Sequence, residues 1–234
     1  MKITISAKQL RSVIEPMLPL TGDDYMLPVL NALHIRSEGG DLITTATDRF
    51  VVGVKRTPGA FGEFEILLPV ASARSILRAF KPMRSADPEL TLEVVDFRLY
   101  ISTAGAFVDF DEARIGYALC DGQFPKVKSV IQDALAAEPD HAESNVAAFS
   151  PVFLGRFAAF GPTLAIKVQR RGPTVVTNGV DFVGAIMPRR TIADGELDVT
   201  AVSFAEMVAP VASLVTPVIE SKPAAKRARK AVSA

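Results

Sequence analysis

The sequence predicts an α+β fold of antiparallel sheets and a few amphipathic helices, and three observations lead there. One pattern returns four times along the 234 residues: a short alternating strand, a turn residue, then a helix with an apolar face. The intervals between these helices hold runs rich in Val, Ile, Thr, Tyr and Phe, bounded by Gly, Pro and Asp turns. The composition, 49% hydrophobic and 22% charged, is that of a globular protein with a real core, which excludes wholesale disorder.

The first copy of the pattern is a strand from Lys2 to Ser6 and a helix from Ala7 to Met17. Strands follow at Leu30 to Ser37, Leu42 to Thr47 and Phe50 to Arg56, the first two joined by the turn Glu38-Gly39-Gly40-Asp41. The second copy runs from Glu63 through Leu67 and Pro69 into a helix from Ala71 to Phe80. Its strands are Leu90 to Val95, Arg98 to Ser102 and Ala106 to Phe110, with Ala113 to Leu119 beyond. The third begins at Ser144 to Phe149; Ser150-Pro151, a capping residue and a proline pre-shaped for the first turn, open a helix to about Phe160. Strands at Thr163 to Gln169, Val175 to Thr177 and Phe182 to Met187 complete it. In the fourth, Glu196 to Val202 leads to Ser203 at a cap, Glu206 at the capping-box position and a helix to about Leu214, with no strands after it.

The unit is therefore β-α-β-β-β, with a shortened last copy. The polar, alanine-rich stretch Gln132 to Asp140 marks a boundary. It divides the chain into a complete domain over 1–131, a linker over 132–143 and a reduced domain over 144–220. The low-complexity basic segment 221–234 is expected to be disordered.

Several function classes fall away on residue counts. Cys120, the single cysteine, cannot form an internal disulfide, and with only His34 and His141 it cannot build a Cys/His zinc site. The longest nearly apolar stretch, Met207 to Ile219, is too short to span a bilayer and contains Pro210 and Pro217. The N-terminus lacks the apolar core of a signal peptide, so a cytoplasmic protein is expected. The formal net charge of zero hides an asymmetry: without the five bases of the last fourteen residues, 21 bases face 26 acids, a body at −5. A protein that grips nucleic acid with its whole surface does not look like this. Any DNA contact has to come from a local stripe or from the tail.

The helices carry the bases that could form such a stripe: Lys8 and Arg11 on the first, Arg74, Arg78 and Lys81 on the second, Arg156 on the third. Arg74 and Arg78, four apart, share a helix face. Spacing alone favours solvated outer faces, with cations that touch phosphates without reading sequence as the alternative. Asp109, Asp111 and Glu112 form the densest carboxylate group and, with Asp23-Asp24, read either as a solvated edge or as a Mg²⁺ site for a nuclease. No Gly-rich phosphate loop, Gly-x-Ser-x-Gly elbow or His-Glu-x-x-His motif is present. His34 alternates with Leu33 and Ile35 as a sheet-face residue without an evident partner, and nothing near Cys120 lowers its pKa. No enzyme activity, metal or cofactor is expected.

Thr44-Thr45-Ala46-Thr47-Asp48-Arg49 after a strand, Leu119-Cys120-Asp121-Gly122-Gln123-Phe124-Pro125 at the end of the first domain, and Ala185-Ile186-Met187-Pro188-Arg189 near the end of the second stand in a telling order. Together with Leu27-Pro28-Val29-Leu30, they resemble the bacterial DNA polymerase processivity clamps, the β subunit of polymerase III. That family has three similar domains per chain, with helices inside and antiparallel sheets outside, and closes as a dimeric ring. Residues 1 to 130 resemble its middle domain, and residues 144 to 190 only the second half of its last. If Glu196 to Leu214 folds back beside the third helix, each protomer offers four helices, and three protomers would supply the twelve of a ring, a homotrimer. A compact clamp of this type would suit a bacteriophage.

The resemblance implies a mechanical function: a sliding clamp that encircles duplex DNA and tethers the replicative polymerase and other replication proteins, including the clamp loader, through short peptides. The matching groove positions are Thr47, Arg49, Phe50 and Val51 in the first domain, Pro125 and Val130 near the linker, and Met187 and Pro188 in the second. Lys8, Arg11, Arg74, Arg78, Lys81 and Arg156 become the DNA-facing set. Arg49-Phe50 replaces a smaller, more polar pair of the family. A clamp-like adaptor that keeps the groove without encircling DNA, and the Mg²⁺-dependent nuclease, are the competing readings.

Overall fold

Alternation in strand β1 (Lys2–Ser6) buries Ile3 and Ile5 and leaves Lys2 and Thr4 exposed. The computed structural model describes residues 1–81, 87–104, 112–137, 147–169, 172–189, 191–192 and 197–198. Ser6 ends β1 and caps helix α1 (Ala7–Ile14): its hydroxyl accepts from Gln9 N while the Gln9 side chain accepts from Ser6 N, each at 3.2 Å. The expected helix to Met17 stops early, because Pro16 and Pro19 lack the N–H that an α-helix needs. Glu15–Leu20 continues as a 3₁₀ segment and still buries Met17 and Leu20 completely.

Strands β2 (Ala32–Glu38), β3 (Asp41–Thr47), β4 (Val51–Thr57) and β5 (Glu65–Pro69) form one sheet in the order β5-β2-β3-β4. Pro69 leads into α2 (Val70–Ala79), which buries Ala73 and Ile76. The strands β6 (Glu89–Val95), β7 (Arg98–Ala104) and β8 (Glu112–Ala118) join β1 in a second antiparallel sheet, β1-β6-β7-β8. The expected strand Ala106 to Phe110 lies outside the described residues. Side chains of α1, of α2 and of both sheets share one core, with Leu10, Val13, Ile14 and Ile76 meeting Leu33, Ile35, Leu90 and Ile101.

The stretch expected to be a linker from residue 132 is in part helical: α3 spans Val127–Ala136. Val127, Ile131 and Ala134 recur at helical spacing; Val127 and Ile131 cover the sheet face formed by Val52, Val54, Val183 and Ala185, Ala134 is buried as well, and alanine favours the helix. Two side chains from the following unit close its C-terminus. Lys167 Nζ donates to the carbonyls of Leu135 and Ala137 at 2.7 and 2.8 Å, and Gln169 Nε2 to that of Ala134 at 2.8 Å. The third expected helix is short: α4 (Pro151–Gly155) passes into a 3₁₀ turn, Arg156–Phe160.

Strands β9 (Ala165–Lys167), β10 (Thr174–Thr177) and β11 (Phe182–Ile186) do not form a separate sheet. β11 pairs antiparallel with β4, so the sheet runs unbroken as β5-β2-β3-β4-β11-β10-β9 across both parts of the chain. Gly53 stands opposite Gly184 at this seam, where the two Cα positions lie against Leu20, Phe157 and Phe182. Lys55, also on the seam, is buried and reaches Asp181 at 2.9 Å. Burial alone would raise the Asp181 pKa, but hydrogen bonds from Asn178 and Lys55 and the Lys55 charge outweigh it and hold the carboxyl below its usual range. A short ladder, β12 (Thr191–Ile192) with β13 (Leu197–Asp198), ends the described part. The expected helix from 203, the tail 221–234 and His141 lie outside the described residues.

Candidate functional site

The turn between β3 and β4 is held from several sides. Asp48 Oδ1 accepts from the backbone N–H groups of Phe50 and Val51, both at 2.8 Å, and Thr47 Oγ1 donates to the Val51 carbonyl at 2.8 Å. Arg156, arriving from the second part of the chain, donates to the other Asp48 oxygen and lies over the Phe153 ring at 4.9 Å. Phe153 in turn stacks on Phe50, with ring centroids 5.4 Å apart. Met187 N donates to the Phe50 carbonyl at 2.9 Å and extends the seam by one bond. One consequence is a backbone of Arg49 fixed at φ +84°.

Beside this turn lies an apolar groove of about 430 Å³. Thr47, Arg49, Phe50 and Val51 line it from the first unit, Pro125 and Val130 from the connector, and Met187 from the second. Pro188, half-buried next to Met187, is not among the lining residues. Sequence reasoning left out Leu27, Val29 and Leu30, although Leu27-Pro28-Val29-Leu30 was a visible signal. It also left out Val127, Pro173 and Ala185; the apolar spacing of α3 could have pointed to the first.

Of the bases expected to face DNA, Lys8, Arg74, Arg78 and Lys81 are exposed. Arg11 is half-buried and held by both oxygens of Glu15 at 2.7 and 2.8 Å. Arg156 is half-buried, and its guanidinium is turned into the ion pair with Asp48, where it supports the groove turn. Asp24 is also committed, to Met26 N at 2.9 Å and to Arg49 at 3.5 Å. Asp109 and Asp111 lie outside the described residues. Among the described residues no group of three His, Cys, Asp or Glu side chains could hold a metal ion, and no helix is long and apolar enough to cross a membrane.

A second cleft, about 440 Å³, is lined among the described residues only from 1–124. His34, expected to be unpartnered, meets Glu65 at 2.8 Å and stacks on Phe124 with centroids 5.1 Å apart. Cys120 lines the same cleft, and burial, together with the adjacent Asp121 carboxylate, pushes its thiol pKa up.

No protein-family model matches the sequence, and no curated protein matches it. Solved structures do. The DNA polymerase III β subunit from Thermotoga maritima aligns with a TM-score of 0.64 at 13% identity, over 82% of this chain and 66% of that one. The Pseudomonas aeruginosa sliding clamp bound to griselimycin aligns with a TM-score of 0.62 at 13% identity, over 82% and 66%. The Borrelia burgdorferi β subunit in complex with a natural product gives 0.59 at 14% identity, over 81% and 64%. The chain thus spans just under two thirds of the length of these clamps. The repeated β-α-β-β-β units, the helices against antiparallel sheets and the sheet continuous between units all agree: this chain has the fold of the DNA polymerase III β-subunit sliding clamps.

Proposed function

We propose that this protein acts as a sliding clamp, a processivity factor that surrounds duplex DNA and tethers the replicative polymerase and the clamp loader through peptides docked in the apolar groove. The observation that carries this reading is the groove itself. Side chains far apart in the chain, Thr47, Pro125 and Met187 among them, converge at the seam of a clamp fold on a concave, almost wholly apolar surface. Such a surface suits the apolar side chains of an extended peptide, and Met187, 42% exposed, can adapt to different ones. Tethering through it raises the local concentration of a partner without any catalytic step.

Exposed Lys8, Arg74, Arg78 and Lys81 supply weak, sequence-independent phosphate contacts, which permit sliding. A ring needs further helices, and the homotrimer, with Glu196 to Leu214 completing each second unit, is the assembly we propose. Retention on circular duplex DNA with release upon linearisation tests enclosure directly. Equal retention on both forms would reject the ring, and a persistent monomer in solution mass measurements would reject the trimer. The pairing of Arg11 with Glu15 and of Arg156 with Asp48 thins the basic stripe. That observation favours, as the second reading, an adaptor that docks peptides without encircling DNA.

A further inference from the structure

Arg49 is the one charged side chain among the described residues that line the groove. Its backbone, at φ +84°, lies in the left-handed region that glycine enters freely and other residues enter against steric resistance. Asp48 and Thr47 impose that conformation on whatever residue stands there, since they bind the turn through backbone N–H groups. A glycine would satisfy the turn without strain, so the strain is tolerated with a side chain in place. That side chain is 59% exposed at the groove wall.

Its partner within the chain is incomplete. The nearest carboxylate oxygen, Asp24 Oδ2, is 3.5 Å from the guanidinium, well beyond the roughly 2.7–2.9 Å of a charge-assisted hydrogen bond. By contrast, Arg11 grips Glu15 through two bonds of 2.7 and 2.8 Å. The other Asp24 oxygen is occupied by Met26 N. Arg49 therefore keeps most of its donors for an external acceptor, next to the exposed Phe50 ring that Phe153 supports from behind.

Resting on the docking reading above, we infer that the groove selects extended peptides carrying an Asp or Glu side chain that pairs with Arg49 while neighbouring apolar side chains fill the groove. Asp24 is the internal competitor that this carboxylate displaces. A lone guanidinium on an open wall suits a side-chain carboxylate, whereas a chain terminus calls for several converging backbone donors. Lysine at the same peptide position is rejected by like charge.

Fluorescence anisotropy with the full chain tests this, using labelled, C-terminally amidated heptapeptides of alternating Leu and Ser ending in Phe, with Glu stepped through the Ser positions. At one position Glu is expected to bind at least fivefold more tightly than Gln, and Lys more weakly than Gln. Arg49→Gln should abolish the preference for Glu over Gln, whatever its effect on the affinity of both peptides together. Arg49→Gly should do the same and raise the melting temperature by relieving the backbone. Asp24→Asn should tighten the Glu peptide. Equal binding of Glu and Gln peptides at every position, or a preference that survives Arg49→Gln, overturns the inference while the docking reading stands. A gain confined to peptides with a free C-terminal carboxylate also overturns it. Binding of no peptide overturns both.

Discussion

The two clefts are almost equal in volume, about 430 and about 440 Å³, yet they are made in opposite ways. Among the described residues the polar cleft is lined from 1–124, and its polar groups find partners there: His34 meets Glu65, and burial with the Asp121 carboxylate raises the Cys120 thiol pKa. The apolar groove draws on both units and the connector, so it exists only while β4 and β11 are paired. The difference teaches that the groove is a property of the joint, whereas the polar cleft is a property of one unit. Changes at the seam should therefore separate the two.

The largest expected effect lies at Gly184. A Cβ there would stand 2.6 Å from the Val52 carbonyl oxygen and 2.8 and 2.9 Å from the Phe182 and Phe157 rings. Backbone oxygen cannot swing aside, so Gly184→Ala should lower stability by about 3 kcal/mol in urea unfolding. Well below the melting temperature, peptide binding should be lost while thiol labelling of Cys120 stays at the original rate. Loss of both together would show that the clefts are not separable.

Asp181→Asn comes next. It leaves the Lys55 ammonium, 10% exposed, without its anion; discounted for the partial exposure of Asp181, the loss should be about 2 kcal/mol. The pH dependence has a definite sign. Because the folded carboxyl is held below its usual range, its contribution is fully present above the unfolded pKa and disappears as pH falls through the lower folded value. The stability gap between the parent protein and Asp181→Asn should narrow towards acid. A gap that keeps its neutral-pH size below both pKa values would remove Asp181 as the seam's anion.

Arg156→Gln should have a smaller effect, roughly 1 kcal/mol, seen as a five- to tenfold loss of peptide affinity through a loosened Asp48 turn. Its salt dependence of duplex binding should be unchanged. Arg74→Gln should do the reverse, reducing the slope by about one and sparing peptide affinity. If Arg156→Gln changes the slope instead, the residue faces phosphate and not the groove.

Local rules read most of the strands and both principal helices, because alternation in β1 and the 3.6-residue spacing of α1 are written within a few residues. The groove turn was legible only through the resemblance to the clamps, although Thr47 and Asp48 act on their immediate neighbours. What local rules could not read is pairing across long separations. Nothing near Gly53 announces Gly184, and a helix-borne Arg156 looks solvent-facing until Asp48, 108 residues earlier, is seen beside it. His34 and Glu65 meet only because β2 pairs with β5. The connector misled for another reason: alanine and polar residues compose linkers and exposed helices alike, and only the sheet face beneath Ile131 decides between them.

The smallest expected effect tests the independence of the clefts from the other side. Two causes raise the Cys120 pKa, burial first and the Asp121 carboxylate second. Asp121→Asn removes only the second, and the amide oxygen can still accept from Gly122 N, a bond of 2.8 Å in the parent protein. The bond from Cys120 Sγ to the backbone carbonyl of residue 121 is untouched. The pH profile of iodoacetamide alkylation should thus move towards neutral without reaching that of a free thiol, since burial remains. Because none of the described residues lines both clefts, peptide affinity should stay within twofold. A change in affinity that tracks the alkylation profile would mean that the polar cleft reports to the groove, and the division between a local cleft and a jointly built one would fail.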